Sequence, residues 1–389
     1  MKEIKILMVV NILCISAMMA FLAVVGPIIR ELNLEEWHAG LTVSIAGVLW
    51  VVLSRYWGRK SDVVGRKPIL VIGVAGVAVS YLILAIFIDT AIMSPPAVIL
   101  SLSILILTRG GIGAFYSAIT PVSNALIADH VEKEKRTGYI AKLAASSGIG
   151  MVIGPPIGGY LANFGLSTPL YTFAILPLIA TVALYMILPH EKPVTTEKTP
   201  ILKVFDERLR IPMFAAFITM FSIVTAQVCL GFYIIDRFGL DSLKAAEMTG
   251  YVLACVGFAF IFSQIVVSKT KVESTKLLKY GAFVGMIGYI VVFMMDSQLI
   301  LTIGMCIGAL GMGMLFPAYQ TLAVNLVNKE EQGASAGTVS AAQGIGMIIG
   351  PIVSTVVYKV DPIAPFILVS VLFFLLGIIA FRYYRKERW

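Results

Sequence analysis

Charge is scarce in this chain. Only 13% of its 389 residues are Asp, Glu, Lys or Arg, against about 25% in an ordinary soluble domain, and that excludes a solvated globular fold. Cysteine is scarcer. Cys14, Cys229, Cys255 and Cys306 stand far apart inside apolar runs with no C-x-x-C spacing, so they predict small hydrophobic filler, not a disulfide framework or a zinc site. Histidine occurs three times, and no phosphate-cradling P-loop or nucleophile triad is present. Enzymatic chemistry and a resident metal or cofactor therefore find no residues to carry them. The acids are also oddly placed: all 22 Asp and Glu fall in loops or at the ends of apolar runs.

What the chain has is long apolar sequence, 59% hydrophobic overall. A helix needs about 20 apolar residues to cross a bilayer, and such runs recur at 5–29, 38–57, 68–88, 97–127, 138–162, 167–188, 212–235, 245–268, 277–295, 298–326, 334–358 and 362–382. The first follows MKEIK, but its apolar stretch exceeds a signal-peptide core and eleven more follow, so it is expected to be span 1. The net charge of +8 points to the bilayer and not to nucleic acid. With the N-terminus inside, only Arg30, Arg237, Lys244 and Lys359 fall outside and Arg109 lies within a span, leaving 25 of the 30 Lys and Arg on the inner side. That asymmetry predicts two cytoplasmic termini and an inner-membrane, multi-pass protein.

One phrase is written twice. GIGMVIGPPIGG at Gly148–Gly159 is repeated as GIGMIIGPIVST at Gly344–Thr355, and the same offset of 196 carries Pro121 onto Pro317, Leu126 onto Leu322 and Ala145 onto Ala341. The chain is thus expected to be a tandem of two six-span bundles, 1–188 and 212–389, joined by a polar linker at 189–211 with a short interfacial helix near Ile201 to Leu209. Six spans is an even number, so the copies insert in the same orientation. Within the phrase, Ser146, Gly150, Gly154 and Gly158 line one helical face, as do Ala342, Gly346, Gly350 and Ser354. Such stripes let backbones approach closely, and Pro155 and Pro351 each remove a helical hydrogen bond. These features suit a surface on which one half rocks against the other, or tight packing with no gating role.

The loop after span 2, GRKSDVVGRKPIL, resembles the major facilitator pattern G-x-x-x-D-x-x-G-R-K through Gly58, Asp62, Gly65, Arg66 and Lys67. The span 5 phrase resembles the antiporter pattern G-x-x-x-G-P-x-x-G-G through Gly150, Gly154, Pro155, Gly158 and Gly159, and Arg109 stands at the position of that family's intramembrane arginine. The chain is similar to the twelve-helix drug:proton antiporter branch over nearly its whole length. The resemblance implies an all-α integral membrane protein of twelve transmembrane helices, in two six-helix bundles related by a parallel pseudo-two-fold. It implies proton-coupled export of small organic molecules by alternating access, in a protein functional as a monomer. A dedicated exporter of an anionic or zwitterionic siderophore, and an uptake carrier of the same fold, are the alternatives.

The resemblance also implies that Asp62 latches an inner gate with a base such as Arg136, and that spans 1, 4, 7 and 10 line the cavity. Their polar residues, Asn11, Arg109, Tyr116, Asn124, Gln227, Tyr233, Tyr319 and Gln320, are then substrate candidates, with Phe21, Phe115 and Phe316 as apolar neighbours. Arg109 lies about twelve residues into span 4, roughly 18 Å deep, where an ionisable group is expensive and marks function. Many relatives carry a deep acid, whereas this chain has Gln227 and Met312 in the corresponding stretches. Glutamine does not titrate. The proton-coupling candidates are peripheral: Asp62, Asp129, Asp236 and His38. Gly65, between two closely spaced helices, is expected to need a positive φ.

Overall fold

The computed structural model describes residues 2–189, 206–270, 272–293, 297–328 and 331–386. Among these, twelve helical stretches are long and apolar enough to cross a bilayer. The helices are α1 (Lys2–Glu31), α2 (Glu36–Val64), α3 (Arg66–Met93), α4 (Val98–Tyr116), α5 (Ile119–His130), α6 (Lys133–Ala162), α7 (Thr168–Ile187), α8 (Arg210–Phe238), α9 (Ser242–Lys269), α10 (Ser274–Phe293), α11 (Gln298–Asn325), α12 (Gln332–Tyr358) and α13 (Ala364–Lys386). Helix is the expected state, since hydrocarbon offers no partner to a free N–H or C=O and a helix pairs them internally. The short helix expected near Ile201 to Leu209 is seen only as a 3-10 turn at Glu207–Leu209. The rest of that segment lies outside the described residues.

Two compact units result: Met1–Glu197 with Gly239–Tyr251, and Lys198–Phe238 with Val252–Trp389. The repeat is visible in their packing. In the first, α1 packs on α6 and α3 on α7; in the second, α8 packs on α12 and α10 on α13, which are the same span pairs shifted by six.

Span 4 differs from the expected single helix. It breaks at Ser117 and Ala118, between α4 and α5, because Pro121 has no N–H to give the Ser117 carbonyl and its ring crowds that oxygen. The Ala118 N–H turns to Phe115 O at 3.2 Å instead of Ala114 O. The Ala114 carbonyl, so released, accepts from the Ser117 hydroxyl at 2.6 Å and the Trp57 indole N–H at 2.7 Å. In the second copy Pro317 sits inside unbroken α11, and the residue at the Ser117 position is Gly313.

The link between α2 and α3 is one residue, Gly65, with φ 103° and ψ 156°. The expected positive φ is therefore present, in a region open essentially to glycine alone, where a side chain costs about 1–3 kcal/mol. Gly65→Ala should lower the thermal midpoint of the purified protein by a strain of that size, whereas Gly58→Ala, with no atom within 4 Å of an added Cβ, should leave it unchanged.

Candidate functional site

Arg109 lies in the interior of the first unit. It is 2% exposed, and its side chain meets two further helices. The guanidinium carbon lies 4.1 Å from the ring centroid of Phe21 on α1, a cation–π placement. Nη1 donates to the Tyr81 hydroxyl of α3 at 3.4 Å, and that hydroxyl donates to the Ala17 carbonyl of α1 at 2.6 Å. Nε has no hydrogen-bond partner. Among the described residues no carboxylate reaches ion-pair distance of Arg109. Packing alone does not account for it, since a hydrophobic side chain of the same volume would avoid the desolvation of an uncompensated charge.

Phe21 was expected as an apolar neighbour of the cavity residues, and Tyr81 was not named among them. A tyrosine in an otherwise apolar span carried the signal, because a buried phenol must find a partner. The other substrate candidates of this unit are elsewhere engaged. The Asn11 amide nitrogen goes to α6, donating to the hydroxyls of Ser146 at 2.9 Å and Ser147 at 2.6 Å, while its Oδ1 is buried without a hydrogen-bond partner among the described residues. Tyr116 is buried at the end of α4, 6.0 Å from Trp50 between ring centroids.

In the second unit Tyr319 is fully buried on α11 and its hydroxyl accepts from Gln343 Nε2 of α12 at 2.7 Å. Gln343 was not among the expected site residues, because span 11 is not one of the four taken to line the cavity. Tyr233 packs edge-on to Phe366 at 5.3 Å, Gln227 is half-buried on α8 and Gln320 is exposed.

The loop charges are arranged around Arg66. Its Nη1 meets Asp62 at 2.5 Å and its Nε meets Asp129, at the end of α5, at 2.9 Å. This corrects the expected pairing of Asp62 with Arg136, whose Nε goes to the Val131 carbonyl at 2.8 Å. Arg66 stands four residues from Asp62, across the turn at Gly65, and its planar fork serves two carboxylates at once. Lys67 lies over the Tyr185 ring, 4.9 Å from its centroid. Of the remaining proton candidates, Asp236 accepts from the Tyr358 hydroxyl at 2.8 Å. His38 Nδ1 accepts the Glu35 N–H at 2.9 Å at the start of α2.

The glycine stripes also meet partners other than those expected. A Cβ on Gly150, Gly154 or Gly158 would lie 2.6–2.7 Å from the backbone oxygens of Ile12, Ser16 and Ala20, all on α1. On α12, a Cβ on Gly346 would lie 2.6 Å from the Phe217 backbone oxygen of α8, and one on Gly350 a looser 3.3 Å from that of Phe221. The face expected to be a rocking surface between halves is in each case filled by the first helix of its own bundle. Gly159, next along, meets Ala246 and Gly250 of α9. Both α6 and α12 run unbroken through Pro155 and Pro351.

Comparison with known proteins agrees with this architecture. The sequence pattern described as Major Facilitator Superfamily matches residues 7–334 and 279–388. The tetracycline resistance protein, class G, of Vibrio anguillarum is 28% identical over 359 residues, spanning 86% of this chain and 85% of that protein. Multidrug resistance protein 1 of Bacillus subtilis is 23% identical over 377 residues, spanning 93% and 92%. Among solved structures, a bacterial homologue of the human lysosomal transporter Spinster superposes with a TM-score of 0.79 at 14% identity, covering 99% of this chain and 97% of that one. The nucleoside transporter NupG gives 0.76 at 12% identity, covering 98% and 99%.

Proposed function

The chain belongs to the major facilitator superfamily, and on that premise we propose that it exports small drug-like molecules across the cytoplasmic membrane, driven by protons and working by alternating access. The efflux direction is supported by relatives named for tetracycline and multidrug resistance along nearly their full length. The observation that carries the reading is Arg109: a charge kept in a bundle interior with one unpaired nitrogen and no carboxylate is retained at a cost that only function repays.

The same observation bears on cargo. A site with an uncompensated guanidinium disfavours permanent cations and favours neutral, zwitterionic or anionic molecules, acidic chelators of the siderophore kind among them. For the proton we propose the Asp62–Arg66–Asp129 group, because a proton on one acid leaves Arg66 held by the other, so protonation loosens the group without breaking it. Asp236 and His38 are the candidates at the opposite ends of their helices. In the gating cycle α1 with α6, and α8 with α12, move as glycine-locked pairs. Gly58, Gly65, Arg66, Lys67 and Arg136 then belong to the inner gate. Both termini are cytoplasmic in this scheme.

Inverted membrane vesicles with an acidic lumen test it. Cargo should accumulate in them and not in right-side-out vesicles under the same gradient, and accumulation should collapse with a protonophore. Accumulation in the right-side-out preparation alone would mean uptake. Strong pumping of ethidium without pumping of acidic chelators would overturn the charge preference.

A further inference from the structure

The four cysteines are not all solitary in the fold. Cys14 and Cys229 are buried, whereas Cys255 on α9 and Cys306 on α11 are half-buried, and the thiols of this second pair stand within electrostatic reach of each other. The two helices lie side by side in the second unit. The Ser263 hydroxyl of α9 donates to the Leu310 carbonyl of α11 at 2.7 Å, and a Cβ on Gly313 would lie 2.7 Å from the Phe260 carbonyl oxygen. Phe260 also meets Phe316 edge-on, with 5.9 Å between ring centroids.

The internal repeat explains why the thiols face each other. A matching contact occurs in the first unit, where the Trp57 indole of α2 donates to the Ala114 carbonyl of α4. Trp57 and Ser263 are each the twenty-second residue of their helix, and Ala114 and Leu310 are related by the offset of 196. By the same correspondence Leu49 answers to Cys255, each the fourteenth residue of its helix, and Gly110 answers to Cys306. In the first unit the Leu49 Cδ1 lies 3.0 Å from the place a Cβ on Gly110 would take. One copy therefore fills this junction with a long side chain against none, and the other divides the same space between two short ones.

We infer that Cys255 and Cys306 together bind a soft, two-coordinate metal ion, with mercury(II) the best match. Thiolate sulfur selects soft ions. Each thiol must shed its proton to bind, and both lie inside spanning segments, where net charge is costly. Mercury(II) meets that condition: two Hg–S bonds form, two S–H bonds break, both protons leave to water, and the product carries no charge. Zinc does not meet it, because it takes four ligands and among the described residues no cluster of three or more His, Cys, Asp or Glu exists to supply them. The bound ion joins α9 to α11. The first unit has no counterpart, since Leu49 and Gly110 offer no sulfur. The inference uses neither Arg109 nor the direction of transport.

Mercuric chloride is the probe, one equivalent added to reduced, full-length protein in thiol-free nanodiscs. The X-ray absorption of the bound mercury should report two sulfur neighbours in the wild type and one in Cys255→Ala or Cys306→Ala. With both thiols in place the second bond is intramolecular, so β-mercaptoethanol should strip the metal from either variant at a roughly hundredfold lower concentration than from the wild type. The double variant Cys14→Ala with Cys229→Ala should match the wild type in both measurements, and zinc chloride should not be retained. A single sulfur neighbour in the wild type, equal retention by the wild type and either single variant, loss of the two-sulfur signal in the double variant, or zinc held as firmly as mercury would overturn the proposal. The double variant leaves Cys255 and Cys306 untouched, so it and the single variants decide independently should one of them not fold.

Discussion

Arg109→Met yields a protein that is more stable than the wild type and does not transport. Methionine roughly keeps the volume beside Phe21 and removes a buried charge that no carboxylate compensates, a change worth about 1–4 kcal/mol in favour of the folded state. Tyr81 is not stranded by the loss, because its hydroxyl still donates to the Ala17 carbonyl at 2.6 Å. A rise in the thermal midpoint together with loss of flux in proteoliposomes separates a functional arginine from a structural one. Normal flux in the variant would remove Arg109 from the mechanism, and a fall in the midpoint would show that it holds the bundle together. Arg109→Lys should restore little, since an ammonium has no planar fork to lie on Phe21 while offering a second nitrogen to cargo.

The second large effect is at Gly154. A Cβ there would lie 2.6 Å from the Ser16 carbonyl oxygen and 2.7 Å from the Met19 Cβ, and neither can move without moving the α1 backbone. Gly154→Val should therefore force α1 and α6 apart. Overpacking costs about 1–3 kcal/mol where side chains can give way, and here backbone stands in the way, so the loss should reach the upper end or beyond. It should be read as a lower thermal midpoint and lost flux. Gly148→Ala is the internal control: it is on the same helix, six residues away, with nothing within 4 Å of an added Cβ, and it should behave as the wild type. A wild-type midpoint in Gly154→Val would mean that α1 and α6 do not make this contact in the membrane.

Both residues show how far an amino-acid sequence can be read and where it stops. The depth of Arg109 follows from counting along an apolar run, but its company does not: Phe21 and Tyr81 reach it from α1 and α3, across 88 and 28 residues of chain. The stripe of Gly150, Gly154 and Gly158 announces close approach without saying to what. Any helix can fill a groove of small residues, and the choice of α1 is settled by the way the bundle packs. Asn11 is misleading for the same reason, since a polar residue in an apolar span can serve a cargo or a neighbouring helix, and here it serves Ser146 and Ser147. Arg66 is near Asp62 in sequence, but the turn at Gly65 lies between them, so the pairing of Arg66 with Asp62, like that with Asp129, needed the fold.

The twelve spans, their duplication and the need for glycine at position 65 were determined by the sequence alone, because hydrocarbon thickness, backbone pairing and steric limits on φ act on each stretch of chain locally. Tertiary structure alone decided which side chains meet in the interior, where span 4 divides and which helix occupies each glycine groove. Those outcomes depend on contacts between segments that no local rule connects.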